Sequence, residues 1–135
     1  MIVLKIITLV ENSSLRDDII CEHGLCLYIE TKKHKLLSDA VQTDALIHNA
    51  EAIGIDLSAV DTVVLSHGHY DHSGGILPFC GLNDKAEIYM QRSALPPHYN
   101  TEEEISIITD TAKELAKTIT RYYTGHCTGV EAFDI

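Results

Sequence analysis

The chain has 135 residues, of which 45% are hydrophobic and 22% charged, and its formal net charge is −10. A chain of this length forms a single domain over residues 1–135 and can bury a real core. The negative charge argues against nucleic acid and anionic membranes as partners, since both need basic surfaces. No apolar run reaches the ~20 residues of a membrane span. We therefore expect a cytoplasmic protein whose partner is a small-molecule substrate.

The order of the predicted elements indicates an α/β layered fold. Apolar and β-branched residues predict strands, in chain order, at 2–10, 25–30, 34–41, 60–65, 86–90 and the start of 120–126. Helical patterns lie between them, at 43–53 with Thr43 as N-cap and Gly54 as the stop, at the start of "GGILPFCGL", and at 101–119. The helix at 101–119 has a capping box and an apolar stripe.

Ligand-type side chains crowd the stretch "VVLSHGHYDHSGG", which begins with the end of a predicted buried strand. His67 and His69 are two residues apart, so in an extended segment both imidazoles point to one side and can reach one ion. Asp71 and His72 follow a turn and are expected to point elsewhere, toward a neighbouring second ion. The spacing therefore predicts a metal centre at the end of this strand.

Other polar residues are weaker candidates. A catalytic zinc site uses three protein ligands and an open position, and His126 in "YYTGHCTG" is the candidate third ligand. Asp39 is either a partner that orients a ligand histidine or a capping and turn residue. His23 either lines the site or has no role, and Cys127 is either a thiolate near the metal or a simple apolar side chain.

The remaining histidines and cysteines are predicted to be structural. We expect His34, His48 and His98 at the surface, and Cys21, Cys26 and Cys80 as reduced, buried thiols.

The stretch "VVLSHGHYDHSGG" resembles the signature of the metallo-β-lactamase fold superfamily. The segments "LVEN", "EHGLCLYIE", "LLSDAV", "NAEAIGIDLSAVDTVVLSHGHYDHSGG" and "YYTGHCTG" are similar, in that order, to a subgroup of small metallo-hydrolases. Some members of that subgroup act in pterin (methanopterin) biosynthesis. The resemblance implies an αββα sandwich with one or two metal ions at the sheet edge. By position, His67, His69 and His126 would hold the first ion, and Asp71 and His72 part of a second.

The chain departs from that family pattern in two respects. Asp39 is retained in "SDAV", but the threonine and glycine that usually follow it are replaced. Family members usually run to about 200 residues, above the ordinary single-domain size. Here no histidine follows His126, and Glu131 and Asp134 are the carboxylates that follow it. We therefore expect a sandwich truncated in its C-terminal half, whose shortened sheet edge a homodimer would cover.

The resemblance implies metal-dependent hydrolysis of a small ester, lactone, amide or phosphoester. A zinc ion lowers the pKa of its bound water to about 7 and so supplies hydroxide as the nucleophile. Asp71 is the expected catalytic residue, orienting that water or accepting its proton. Two alternatives stay open. One is a truncated relative that binds metal but has weak or no activity. The other is an iron-dependent oxidoreductase or sulfur dioxygenase, because the same ligands suit zinc, iron or manganese.

Overall fold

A mixed sheet of six strands is the centre of the protein, in a computed structural model that describes residues 4–90 and 121–122. The strands lie side by side in chain order: β1 (Lys5–Val10), β2 (Cys26–Glu30), β3 (Lys35–Ser38), β4 (Thr62–Val64), β5 (Glu87–Met90) and β6 (Arg121–Tyr122). The first three pair antiparallel, and β3 to β6 pair parallel. This is the mixed α/β architecture that the alternating pattern predicted, and among the described residues it forms one sheet.

Helices connect the first two pairs of parallel strands, the usual form of such a crossover. Helix α1 (Ala45–Ile53) and a short 3-10 helix (Leu57–Ala59) lead from β3 to β4. Helices α2 (Tyr70–Ser73) and α3 (Ile76–Leu82) lead from β4 to β5. The expected helix at 101–119 lies outside the described residues. No helix in the described ranges is long and apolar enough to cross a membrane.

The predicted cap of α1 was wrong by one residue, whereas its predicted end is confirmed. Asp44, not Thr43, is the N-cap residue, and it makes no side-chain capping bond. The Thr43 hydroxyl accepts a hydrogen bond from the Ala45 amide and donates one to the Glu22 carboxylate. Gly54 ends the helix in the left-handed conformation, with φ +82°, which glycine adopts without strain.

The core lies on the face of the sheet that the helices cover. Residues paired across neighbouring strands point to the same face of the sheet. The buried residues that are paired in this way on the helix-covered face are Tyr28, Leu37, Val63 and Ile88. They form one buried cluster with the helical side chains of Leu46, Ala50, Ile76 and Phe79. The opposite face is more open, since Ile6 on β1 and Val64 on β4 remain 56% and 41% exposed.

Strand β3 is shorter than the predicted strand at 34–41, and its early end shapes the site. Asp39 and Val41 have positive φ angles of 59° and 49°. A left-handed residue cannot continue a strand ladder, so β3 ends at Ser38. The chain therefore turns away directly after the strand, and Asp39 is left at the sheet edge beside the end of β4.

The cysteine predictions are confirmed only in part. Cys26 is buried, and this burial, with the nearby charge of Asp39, raises the pKa of its thiol. Cys80 is half-buried and Cys21 is exposed, so the expectation of a buried thiol was wrong for Cys21. Cys21 lies in the irregular segment between β1 and β2, where no sheet or helix covers it.

Candidate metal centre

The candidate site lies where the parallel strands β3 and β4 end next to each other. The Asp39 amide donates to the Val64 carbonyl over 2.9 Å, which ties the two strand ends together. The chain after β4 passes through Ser66 to His67 and His69, and helix α2 then carries Asp71 and His72. Ligand sites in α/β folds commonly occupy this carboxyl edge of a parallel sheet.

Asp39 is the buried anchor of the site, with only 4% of the residue exposed. Its Oδ1 accepts the Ser66 amide at 2.7 Å, and its Oδ2 accepts the Ser66 hydroxyl at 2.8 Å. The same Oδ2 lies 2.9 Å from Nδ1 of His72. An ionised carboxylate only accepts, so His72 must carry its proton on Nδ1. In the neutral form of the ring, Nε2 of His72 is then the nitrogen with a lone pair. Asp39 therefore both anchors the turn and orients a histidine.

Ser66 extends the same hydrogen-bond chain to His67. Its hydroxyl proton is donated to Asp39, so its oxygen accepts from Nδ1 of His67, 2.8 Å away. Burial, and then the charges of His72 and His69, lower the pKa of His67. A neutral imidazole with its proton on Nδ1 presents an unprotonated Nε2. His67 is thus held in the form that a metal ligand needs.

The two histidines of the H-x-H pair face one another as the spacing predicted. Nε2 of His67 lies 3.1 Å from Nδ1 of His69. Two nitrogens bound to one tetrahedral zinc at ~2.0–2.1 Å would be about 3.3–3.4 Å apart. The observed separation is that of a hydrogen bond, in which Nδ1–H of His69 donates to the unprotonated Nε2 of His67. It is close to the zinc value, so loss of that proton and a small movement would let both nitrogens bind one ion.

Asp71 and His72 lie closer to the first pair than expected. The ring of His72 packs against that of His67, with centroids 4.2 Å apart, so His72 does not point away from it. Oδ2 of Asp71 lies 3.7 Å from Nε2 of His72. All four side chains of the motif therefore belong to one cluster, and the carboxylate and imidazole together offer oxygen and nitrogen donors.

Close backbone packing fixes the turn that carries these side chains. A Cβ on Gly74 would lie 2.1 Å from the Gln42 carbonyl oxygen, and one on Gly75 would lie 2.1 Å from that of Ala40. Both glycines are in the ordinary right-handed helical region, so the requirement is for space and not for a special φ. The segment therefore follows a tight path against the backbone of residues 40–43.

Several predicted residues lie outside the described ranges. These include His126, the expected third ligand, and its neighbour Cys127, as well as His98. Within the part of the chain that the structure describes, no three His, Cys, Asp or Glu side chains already form a complete metal-binding group. His67 and His69 therefore need a third donor. His34 and His48 are exposed, as predicted.

Two contributors to the site were missed from sequence. Ser66 links Asp39 to His67, and its position directly between the strand and the first histidine was the available signal. Glu22 precedes the candidate His23 and binds the start of α1 through Gln42 and Thr43. No local pattern marked Glu22, because its partners lie about twenty residues away along the chain.

The sequence profile of the metallo-beta-lactamase superfamily matches residues 19–126, well over half of the chain. The chain belongs to the metallo-beta-lactamase superfamily. A structure of Tm1679, described as a metal-dependent hydrolase of the beta-lactamase superfamily, is 26% identical with a TM-score of 0.64, covering 90% of this chain and 43% of that one. A putative metallo-beta-lactamase from Thermotoga maritima shares the fold at 18% identity and a TM-score of 0.64, covering 90% of this chain and 59% of that one.

A curated relative from Methanocaldococcus jannaschii is 27% identical over 123 residues, covering 86% of this chain and 42% of that protein. It is named 7,8-dihydropterin-6-methyl-4-(beta-D-ribofuranosyl)-aminobenzene-5'-phosphate synthase. A second protein of that archaeon, of unnamed function, is 32% identical over 68 residues, covering 50% of this chain and 26% of its own length. The chain thus spans less than half of these two relatives.

Members of the metallo-beta-lactamase superfamily typically bind metal ions, and the donors seen here fit that property. The fit comes from His67, whose pKa is lowered, from its 3.1 Å separation from His69, and from the carboxylate of Asp71 beside His72. Histidine and carboxylate donors suit zinc, iron and manganese alike, so the donor set does not select one metal.

Proposed function

We propose that this protein is a metal-dependent hydrolase, with zinc as the metal and a small ester, lactone, amide or phosphoester as the substrate. The observation that carries the proposal is the pair of nitrogens on His67 and His69, 3.1 Å apart, with the other nitrogen of His67 already bonded to Ser66. In this structure the two nitrogens share a hydrogen bond. They support the proposal because zinc ligands would be only slightly farther apart, about 3.3–3.4 Å, and loss of the shared proton would let both bind one ion.

The proposed ligands of the first ion are His67, His69 and His126. Asp71 and His72 would contribute to a second ion, so one or two ions are proposed for each chain. When bound, such an ion supplies Lewis acidity and lowers the pKa of a coordinated water. The protein's own contribution is orientation: Ser66 and Asp39 hold the imidazoles of His67 and His72 with Nε2 exposed to the site.

Asp71 is the proposed catalytic residue. Its side chain is 14% exposed, and its Oδ2 is 3.7 Å from Nε2 of His72. A carboxylate at this place can orient a water molecule or accept a proton from it.

The test is metal content by inductively coupled plasma mass spectrometry on the 135-residue protein and on His67→Ala. We expect one or two zinc ions per chain in the wild type and loss of the metal in the variant. His48→Ala is the matched control, because His48 is an exposed histidine on α1. A His67→Ala variant that keeps its metal would contradict the ligand assignment. Iron in place of zinc would favour the oxidoreductase alternative.

Activity is tested next, with chromogenic ester, lactone and phosphoester substrates. Phosphorylated ribosides are included because the Methanocaldococcus relative is named for a 5'-phosphate product. We expect hydrolysis of at least one class, removed by His67→Ala and by a chelator. A fully metal-loaded protein that hydrolyses none of them would instead favour an inactive metal-binding relative.

A further inference from the structure

A loop outside the H-x-H-x-D-H motif reaches into the site. It comprises Glu22, His23 and Gly24, in the segment between β1 and β2. Nε2 of His23 lies 3.3 Å from Oδ2 of Asp71. The His23 side chain is 74% exposed, whereas that of Asp71 is only 14% exposed. His23 therefore covers Asp71 from the solvent side.

The Glu22 carboxylate fastens this loop to the start of α1. Its Oε1 accepts the backbone amides of Gln42 and Thr43, at 3.0 and 3.1 Å. Its Oε2 accepts the Thr43 hydroxyl at 2.9 Å. The side-chain nitrogen Nε2 of Gln42 in turn donates a hydrogen bond to the backbone carbonyl of His23 over 2.7 Å. Bonds to an ionised acceptor are stronger than bonds between neutral groups. The Glu22 side chain and the His23 carbonyl are thus both bound to residues 42 and 43.

On the other side, Gly24 packs against the backbone of Asp71 itself. Gly24 has φ +135°, and a Cβ there would lie 2.2 Å from the Asp71 carbonyl oxygen. Only glycine allows this approach, since any side chain would overlap that carbonyl. The loop backbone therefore sits directly on the turn that carries Asp71. This places the contact between His23 and Asp71 in a built arrangement and not in a chance meeting of surface side chains.

We propose that His23 is a positioning residue of the metal centre, which holds the Asp71 carboxylate through the 3.3 Å contact between its Nε2 and Oδ2. Fixed in this way, Asp71 keeps one orientation relative to Nε2 of His72. Outer polar partners of this kind orient metal-binding groups, and their loss weakens metal binding by about 10–100-fold. The role toward the metal rests on the proposed function, whereas the contact with Asp71 does not.

Metal titration of the full chain tests the role. Zinc affinity is measured for the wild type, His23→Ala, His23→Gln and the control His48→Ala. We expect His23→Ala to weaken zinc binding about 10–100-fold. His23→Gln should restore most of the affinity, because its amide can donate to Asp71 although it is a poor zinc ligand. Wild-type affinity in His23→Ala would overturn the proposal. So would equal losses in the Ala and Gln variants, which would indicate direct ligation by His23.

A second measurement on metal-free protein keeps the two proposals apart. The ring ¹⁵N signals of His23 are recorded by NMR in the wild type, in Asp71→Asn and in the control Asp84→Asn, an exposed site. We expect the signals to shift in Asp71→Asn and to stay in place in Asp84→Asn. Unshifted signals in Asp71→Asn would show that the contact is absent and overturn the inference. A wild type that binds no zinc would instead defeat the proposed function, while the NMR result still decides whether His23 holds Asp71.

Discussion

The buried carboxylate of Asp39 accepts a hydrogen bond from Nδ1 of His72 over 2.9 Å, although 33 positions separate the two residues in the chain. Through Ser66, the same carboxylate also controls which nitrogen of His67 carries the proton. One residue at the end of β3 therefore orients two histidines that follow β4.

Asp39→Asn tests the anchor without disturbing the backbone. Asparagine tolerates the positive φ of 59° found there, so the change mainly removes charge and one acceptor. A buried donor without a partner costs about 1–3 kcal/mol, and we expect that loss in the free energy of unfolding. Zinc affinity should fall about 10–100-fold as His72 loses its orientation. Urea unfolding and zinc titration measure both, with exposed Asp17→Asn as control. Unchanged affinity would contradict the role of Asp39.

Ser66→Ala tests whether the Ser66 hydroxyl orients His67, as distinct from its contribution to the free energy of unfolding. The variant keeps the backbone bond from residue 66 to Asp39 but removes the hydroxyl between Asp39 and His67. We expect a loss of stability no larger than in Asp39→Asn, about 0.5–1.5 kcal/mol for each of the two hydrogen bonds that the hydroxyl makes. Zinc affinity should nevertheless drop. Ser13→Ala, at an exposed position, should change neither quantity. An affinity equal to wild type would mean that Ser66 does not position His67.

Gly75→Ala tests the packing that fixes the turn. The new Cβ would lie 2.1 Å from the Ala40 carbonyl oxygen and 2.4 Å from that of Thr43, so backbone must move. We expect destabilisation of about 1–3 kcal/mol, as for other overpacked sites. Gly81→Ala is the matched control, because nothing lies within 4 Å of a Cβ there. In helix α3 it should stabilise by about 0.5–1 kcal/mol. Equal thermal unfolding temperatures in the two variants would contradict this packing.

Asp61 lies at the end of β4 opposite the site. We expect it to make the free energy of unfolding depend on pH. Partial burial opposes ionisation of its carboxyl, but the Thr62 hydroxyl and the Lys35 amide outweigh it, with help from His34. The pKa of Asp61 is therefore lowered in the folded state. A lowered folded pKa adds stability above the unfolded value of about 3.9, and this stability is lost as the pH falls through the folded pKa.

Asp61→Asn should accordingly be less stable than wild type at pH 7, and the difference should shrink as the pH drops below about 4. Urea unfolding at several pH values measures the difference. Asp84→Asn, at an exposed position, serves as the control. A difference between wild type and Asp61→Asn that is the same at pH 7 and pH 3 would contradict the assignment.

The homodimer expected at the shortened C-terminal sheet edge stays a prediction. The described residues offer a different place of association, at the first strand. On β1, the first strand of the described sheet, Ile6 is 56% exposed, and the preceding Leu4 is 57% exposed. Exposed apolar side chains on an outer strand favour association. We expect light scattering after size exclusion to give twice the 14.9 kDa chain mass, and Ile6→Lys to reduce it to the monomer mass. A wild-type protein that elutes as a monomer would contradict the proposal.

The sequence by itself determined the class of fold and the place of the site. Apolar runs with period two and helical stretches between them predicted the sheet and the crossovers, because those patterns depend only on neighbouring residues. The H-x-H spacing likewise placed His67 and His69 on one side, and the structure has their ring nitrogens 3.1 Å apart.

The tertiary structure alone decided how the site is supported. The bond from His72 to Asp39, the fastening of Glu22 to the start of α1, and the contact of His23 with Asp71 each join residues far apart in sequence. Asp39 has a left-handed φ that ends β3 early. Because this residue is not a glycine, the sequence does not indicate the conformation. Such features arise from which loops pack together once the strands are paired. That packing depends on the whole arrangement of the sheet and helices, which local sequence patterns do not encode.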